Sequence, residues 1–404
     1  MSKKNDLYNR RQFLKAAGIT GLASFASPSG ASGLADNNKS ALPSIPNRVL
    51  GRTGAKVSML TLGGVFDILN SQIVLKKSYE WGVTCWDTAH SYMGGRSELG
   101  IGKYLAKNPS RRKELFIITK TSGAKNVAEM ERRLQSSLKR MKTSHVDVVL
   151  IHGMAGPDQL TSEVRKWAED SKKRGTIRFF GFSTHRDMAQ SLMAASRLDW
   201  IDVILTSYNF RLMQDKKMDA AVEACYQAGI GLIAMKTQAV KQTLKGTEED
   251  KLFQHFLRRD FNEYQARLKI VWEDKRFATI CSGMPSIATL VQNVAAAQDK
   301  TKLSQQDREV LRRYACATSS EYCMGCAGIC HRAVPEIPYV SDVMRYLMYY
   351  NGYGDDEHAR QLFAALPSSA KARMSTIDYS RAEALCPQQL PIGSLITEAV
   401  KKLA

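Results

Sequence analysis

From Val57 onward the chain alternates short apolar runs with longer amphipathic segments. The short runs span Val57–Gly64, Val83–Thr88, Leu115–Thr121, Val146–His152, Ile177–Ser183, Val203–Tyr208, Gly231–Lys236 and Phe277–Ser282. Their length and near-continuous apolar character predict strands buried on both faces. Helices are predicted at Gln72–Trp81, at Leu290–Ala297, at Ser304–Tyr314, and from a cap at Asn126 to Met141. The charged stretch 239–262 places Leu252, Phe253, Phe256, Leu257 and Phe261 at helical spacing and reads as an extra helix. Strands that alternate with helices run parallel, and eight such units close into a (β/α)8, TIM-type barrel. An open doubly wound sheet calls for a Gly-rich phosphate turn after the first strand, and Leu62-Gly63-Gly64 is a poor match. The fold class is therefore α/β. The barrel is expected over 46–316, and a small, mainly helical region over 317–404. In that second region Val343, Tyr346, Leu347 and Tyr350 form one helical stripe, which reads as core packing.

Composition bounds the partners. The 404 residues are 44% hydrophobic and 24% charged, a globular balance with room for one large domain and a smaller one. The net charge of +19 comes with no nucleic-acid motif and no basic patch interleaved with aromatics. The excess reads as solvated basic surface, and no nucleic-acid partner is expected. The N-terminus carries more information. Asn9-Arg10-Arg11-Gln12-Phe13-Leu14-Lys15 resembles a twin-arginine export signal. The apolar run Ala16–Ala23 is too short and too rich in glycine for a membrane span, and Gly33-Leu34-Ala35 offers small residues for cleavage. Residues 1–35 are expected to be a leader read by the twin-arginine translocase, leaving a periplasmic protein without a stable membrane span.

A barrel of this kind does chemistry at the C-terminal ends of its strands. Three consecutive runs deliver ionisable residues there: Asp87 and then Tyr92, Lys120, and His152. Reduction of a carbonyl needs a hydride donor and an acid for the developing alkoxide. Tyrosine, with a pKa of about 10, is too weak an acid unless a cation stabilises its anion. Lys120 can be that cation, Asp87 can hold it charged and in place, and His152 can orient the carbonyl oxygen. Singly, each has a bland reading as an ion pair, a loop aromatic or a core histidine. Together and in strand order they favour catalysis.

The segment Asp87-Thr88-Ala89-His90-Ser91-Tyr92-Met93-Gly94-Gly95-Arg96-Ser97-Glu98 resembles the strand-two signature of the aldo/keto reductase superfamily. The similarity runs from Leu50-Gly51-Arg52-Thr53-Gly54 to about Ala297. It implies that Asp87, Tyr92, Lys120 and His152 form the catalytic tetrad. It also implies that Ser183, Tyr208, Asn209, Gly283, Ser286, Gln292 and Asn293 bind NADP(H). The chain departs from the family at Thr184, where Asn is usual, and at Leu205, where Gln is usual. Gly283–Asn293 also lacks the Lys or Arg often found near the adenosine phosphate. These departures leave nicotinamide use open.

The chain has eight cysteines, three of them in Cys323-Met-Gly-Cys326-Ala-Gly-Ile-Cys330-His331. Cys85, Cys225 and Cys281 lie among apolar residues and read as buried thiols; Cys316 stands as a spare. Cys386 is followed by proline, the way ferredoxin-like cysteine sets end. Cys323, Cys326, Cys330 and Cys386 make a four-thiolate set, enough for one 4Fe–4S cluster. The region resembles the ferredoxin-like extension of some aldo/keto reductases, with cysteines for one site rather than two. Structural zinc with His331 as a ligand is the rival. The reading is thus an exported oxidoreductase interconverting a small-molecule carbonyl and alcohol, its cluster serving electron transfer to a redox partner or structure. The alternative is a nicotinamide-independent iron–sulfur electron-transfer or binding protein on the same barrel. Replacing Arg10 and Arg11 together by lysine is expected to strand the protein in the cytoplasm. Cell fractionation checks this, and unchanged export overturns it.

Overall fold

The eight apolar runs close into a cylinder. A computed structural model describes residues 45–241, 247–257, 259 and 261–404, so the expected leader lies outside the described residues. Two short strands come first, β1 (Asn47–Val49) and β2 (Lys56–Ser58), paired antiparallel. The barrel strands follow: β3 (Leu60–Gly63), β4 (Cys85–Asp87), β5 (Phe116–Lys120), β6 (Val146–Ile151), β7 (Ile177–Thr184), β8 (Val203–Ser207), β9 (Gly231–Met235) and β10 (Phe277–Gly283). They are parallel throughout, in chain order, and β10 returns to β3 to close the ring.

The predicted run Val57–Gly64 needs one correction. It divides at Met59, whose N–H donates to the Pro46 carbonyl at 2.9 Å. Val57 and Ser58 belong to the hairpin, and Leu60–Gly63 to the wall. The hairpin stoppers the N-terminal end of the barrel: Arg48 donates to the carbonyls of Phe277 and Trp272, and Leu50 and Val57 join the interior core. That interior is filled by Ile118, Val148, Leu150, Leu205 and Ile233, while Trp86, Phe180, Phe182 and Leu192 pack between strands and helices. The helix after Asn126 begins as expected, the Asn126 side chain accepting from Glu129 N–H. The extra helix within 239–262 is confined to Thr247–Phe256, and Asn262 caps the next, Glu263–Glu273.

The C-terminal region has its own core. Helices Val340–Tyr353 and Ile392–Leu403 pack on each other through Val343, Leu347, Leu395 and Ile396, with Phe363 and Met374 from the short helices beside them. Tyr346 and Leu347 are buried in it, as the stripe predicted. No helix among the described residues is long and apolar enough to cross a membrane.

Polar contacts fix this region onto the C-terminal mouth of the barrel. Arg211, just after β8, is buried and donates to the Ala315 carbonyl at 3.1 Å and to Thr318 Oγ1 at 2.6 Å. Its guanidinium lies 5.0 Å from the Tyr314 ring and 5.1 Å from that of Tyr322. Asp187, after β7, donates its N–H to the Gly325 carbonyl at 2.8 Å and accepts from Gly328 N–H at 3.0 Å. Gly325 has φ 77°, and a Cβ there would stand 2.3 Å from the His185 carbonyl, so only glycine lets the two backbones meet. Arg211→Met takes the buried donor from the Ala315 carbonyl and leaves the Thr318 hydroxyl only its own bond to the Tyr314 carbonyl, a cost of about 1–3 kcal/mol. Limited proteolysis is expected to release the extension while the barrel resists digestion. Undiminished protection near residue 320 overturns this account of the docking.

Candidate active site

Side chains at the ends of β4, β5 and β6 meet at the C-terminal mouth. Asp87 sits opposite Ile118 across the β4–β5 pair, and Lys120 lies two residues further along the same face. The two are therefore diagonal neighbours. Lys120 Nζ donates to Asp87 Oδ1 at 2.6 Å and Oδ2 at 2.7 Å, and to the Thr88 carbonyl at 2.8 Å. Lys120 is 1% exposed and Asp87 3%, so this is a buried ion pair. Burial pushes the Asp87 carboxyl up, and Lys120 opposes that push. Cys281, on β10, packs partly buried against the apolar interior, as read, and burial first and the Asp87 charge second push its thiol well above the usual value.

Tyr92 arrives by a tight turn. Met93, Gly94 and Gly95 all have positive φ, and the helix Arg96–Lys107 follows at once. At Gly95 a Cβ would stand 2.6 Å from the Arg140 guanidinium. That arginine donates to the His90 carbonyl and to the fully buried Glu98, which fixes the turn from beneath. The phenol is left 3.1 Å from Lys120 Nζ, which donates to its oxygen. Burial first, and the Asp87 charge second, push the Tyr92 phenol well above its usual value, so it keeps its proton.

His152 stands across from it, with ring centroids 5.5 Å apart and planes at 77°. Its pKa is driven well down, first by burial and then by the charge of Lys120. The ring is therefore neutral, and its tautomer follows from its neighbours. Ser91 donates to Ser122 Oγ at 2.9 Å, which frees the Ser122 hydroxyl to donate to His152 Nδ1. Nε2 then carries the proton and is a donor toward the mouth. Sequence reasoning missed this serine relay, although both serines follow strand ends already singled out.

The expected dinucleotide residues divide. Gly283 ends β10, Ser286 precedes the helix Ile287–Gln298, and Gln292 and Asn293 lie midway along that helix. Ser286 caps that helix, and Asn293 donates to Ser282. A helix N-terminus beside a small-residue loop suits phosphate oxygens. The other three residues are spent elsewhere. Ser183 accepts from Gly153 N–H at 2.9 Å. Asn209 donates to the Lys236 carbonyl and to Tyr322 OH, and accepts from the N–H groups of Arg211 and Leu212. Tyr208 is a correction. It turns into the layer outside the strands, stacks on Phe277 at 4.2 Å, and donates to Asp274 at 2.7 Å. Leu205 packs inside the barrel. Gly283 and Ser286 are thus placed for phosphate oxygens, while Ser183, Tyr208 and Asn209 are engaged within the protein.

Cys323, Cys326, Cys330 and Cys386 line one small cavity of about 10 Å³, walled by Met344, Leu390 and Ile392. None of the eight cysteines is joined in a disulfide. Burial, together with repulsion between neighbouring thiolates, pushes Cys326 up to about 11 and Cys330 up to about 12. As the side chains stand, no three His, Cys, Asp or Glu groups among the described residues converge on a single ion. Zinc needs such convergence, with sulfurs each about 2.3 Å from the metal. His331, the rival ligand, is not among the residues lining the cavity. The four thiols share one apolar chamber, with soft donors of the kind that a metal ion or a cluster takes.

Comparison with known proteins agrees with this geometry. Residues 64–307 match the aldo/keto reductase family. The aldo-keto reductase AFTS1 of Alternaria alternata is 25% identical over 230 residues, 46% of this chain; the chain spans 63% of that relative's length. Among solved structures, the thermostable aldo-keto reductase Tm1743, in complex with the inhibitor epalrestat, is 25% identical with a TM-score of 0.56, covering 67% of this chain and 100% of its own. The holo aldo-keto reductase AKR11C1 from Bacillus halodurans shares the fold at 22% identity and a TM-score of 0.57, covering 67% of this chain and 96% of its own.

Proposed function

The chain belongs to the aldo/keto reductase family, and from its site we propose an oxidoreductase that interconverts a small-molecule carbonyl and an alcohol. One observation carries the reading. The Lys120 ammonium, clamped by Asp87, donates to the Tyr92 oxygen while neutral His152 faces the same space. Tyr92 holds its proton at rest and gives it up as the carbonyl oxygen gains negative charge; Lys120 then stabilises the phenolate. His152 Nε2–H donates to the same oxygen and orients it. Asp87 keeps Lys120 charged and fixed. A nicotinamide dinucleotide, NADP(H) by the family's habit, would supply the hydride, with Gly283, Ser286 and the first turns of the helix Ile287–Gln298 to hold its phosphates.

The four cysteines extend the proposal. As thiolates they would hold one 4Fe–4S cluster, which supplies one-electron transfer to a redox partner or braces the extension. Arg10 and Arg11 point to twin-arginine export of the folded protein to the periplasm. The commitment of Ser183, Tyr208 and Asn209 to internal contacts favours a second reading, an iron–sulfur electron-transfer or binding protein without nicotinamide.

Tyr92→Phe is expected to lower kcat/KM for a reduced aldehyde by roughly 10²–10⁴ while thermal stability holds. An undiminished rate removes Tyr92 from the mechanism. For the cysteines, a metal-bridged link to Cys386 closes a loop of about sixty residues, worth roughly 4 kcal/mol by loop entropy. Cys386→Ala, purified anaerobically, is expected to lose iron and expose the extension to protease while the barrel survives. Four irons and full protection in that variant show that another group completes the site.

A further inference from the structure

The crevice between the extension and the barrel mouth carries charge that the proton chemistry does not use. Lys236 follows β9, its ammonium 4.1 Å from the Tyr349 ring and 4.9 Å from that of Tyr353. Among the described residues no carboxylate pairs with it. Arg345, on the helix Val340–Tyr353, and Arg186, after β7, share one carboxylate: Asp342 accepts from Arg345 at 2.8 Å and from Arg186 at 2.7 Å. Two guanidiniums against one carboxylate leave a positive charge over, and Lys236 adds another. Asp355 acts on Lys236 from the extension but makes no ion pair with it, and its field also falls on His358. From the barrel side comes His185, its Nδ1 3.1 Å from Ser207 Oγ.

Lys236, Arg345, His185 and Ser207 line, together with Cys323, Met188 and Met348, a partly open cavity of about 30 Å³. A water needs about 10–15 Å³, so there is room for about two water-sized groups. Ser341 also lines it and is 5% exposed; its buried hydroxyl has no hydrogen-bond partner among the described residues. Ammonium, guanidinium and hydroxyl donors around a void, with cations in excess of carboxylate, suit a small oxyanion. The mouth adjoins it: burial first drives the His152 and His185 rings down, and the Arg345 charge adds to that push at both, after Lys120 at His152.

We propose that this cavity is an oxyanion subsite, in which Lys236, Arg345 and the Ser207 and Ser341 hydroxyls take the carboxylate of an acidic substrate whose carbonyl lies at Tyr92 and His152. The proposal deepens the carbonyl-reducing reading and rests on it. A carboxylate has the two oxygens the void can take, and the phosphates of a dinucleotide have their own place at the helix Ile287–Gln298.

The probes are 4-carboxybenzaldehyde and benzaldehyde, with anaerobically purified full-length protein. The acid is expected to have at least tenfold higher kcat/KM. Lys236→Met removes at least tenfold of that ratio, and Lys236→Arg restores most of it. Calorimetric titration with benzoate and benzamide separates the two claims, because it needs no turnover. Benzoate is expected to bind at least tenfold more weakly to Lys236→Met than to the unaltered protein, with benzamide weak to both. If neither aldehyde turns over but benzoate still depends on Lys236, the oxyanion subsite stands and the carbonyl-reducing reading falls. If benzoate binds without regard to Lys236, or benzamide binds as well as benzoate, the subsite is overturned even where benzaldehyde is reduced.

Discussion

The pairing of Lys120 with Asp87 inside the barrel is the contact on which the site depends. Each charge taken out of water costs several kcal/mol, and only a close partner with its remaining valences satisfied repays that cost. The β4–β5 register provides the partner, and the Thr88 carbonyl takes another of the ammonium's hydrogens. What is left of the lysine's donor capacity points at Tyr92. The hairpin stopper below and the apolar interior layers keep water from the pair, so the charge is fixed and undiluted where a phenolate would form.

The barrel was legible because parallel strands are buried on both faces and so appear as unbroken apolar runs. The tetrad was legible because strand ends are where such a barrel exposes polar groups, and four matching residues fell there in order. The hairpin was not legible: Val57 and Ser58 have the same character as the strand they precede, and only the turn at Met59 divides them. Tyr208 misled because residue type does not reveal which side of a strand a ring leaves by. Its phenol found a buried carboxylate in Asp274, and its face found Phe277. Arg345 and Tyr349 were invisible for another reason. They reach the mouth from more than a hundred residues away in sequence, and no local period announces such a contact.

The end of β8 has changed employment. Asn209 stands where the family resemblance implies a cofactor contact, yet its amide, like the Arg211 guanidinium two residues on, is used to seat the extension. At Asn209 the polar groups that the resemblance assigns to a cofactor are engaged with the second core. The extension, in return, brings Arg345, Tyr349 and His358 over a mouth that a bare barrel would leave open.

Gly325 stands between Cys323 and Cys326 and is pressed against the His185 carbonyl, while Asp187 holds the same loop by two further bonds. The two-residue gap between those cysteines is thus measured from two sides, by the thiols' cavity and by the turn after β7. An extension transplanted onto a barrel with a different β7 turn would lose its footing at the first pair of cysteines. Lengthening the gap by one residue would displace the loop from the turn even if the thiols could still reach their chamber. The turn and the cysteine loop are therefore fitted to each other, and a change in the length of one calls for a matching change in the other.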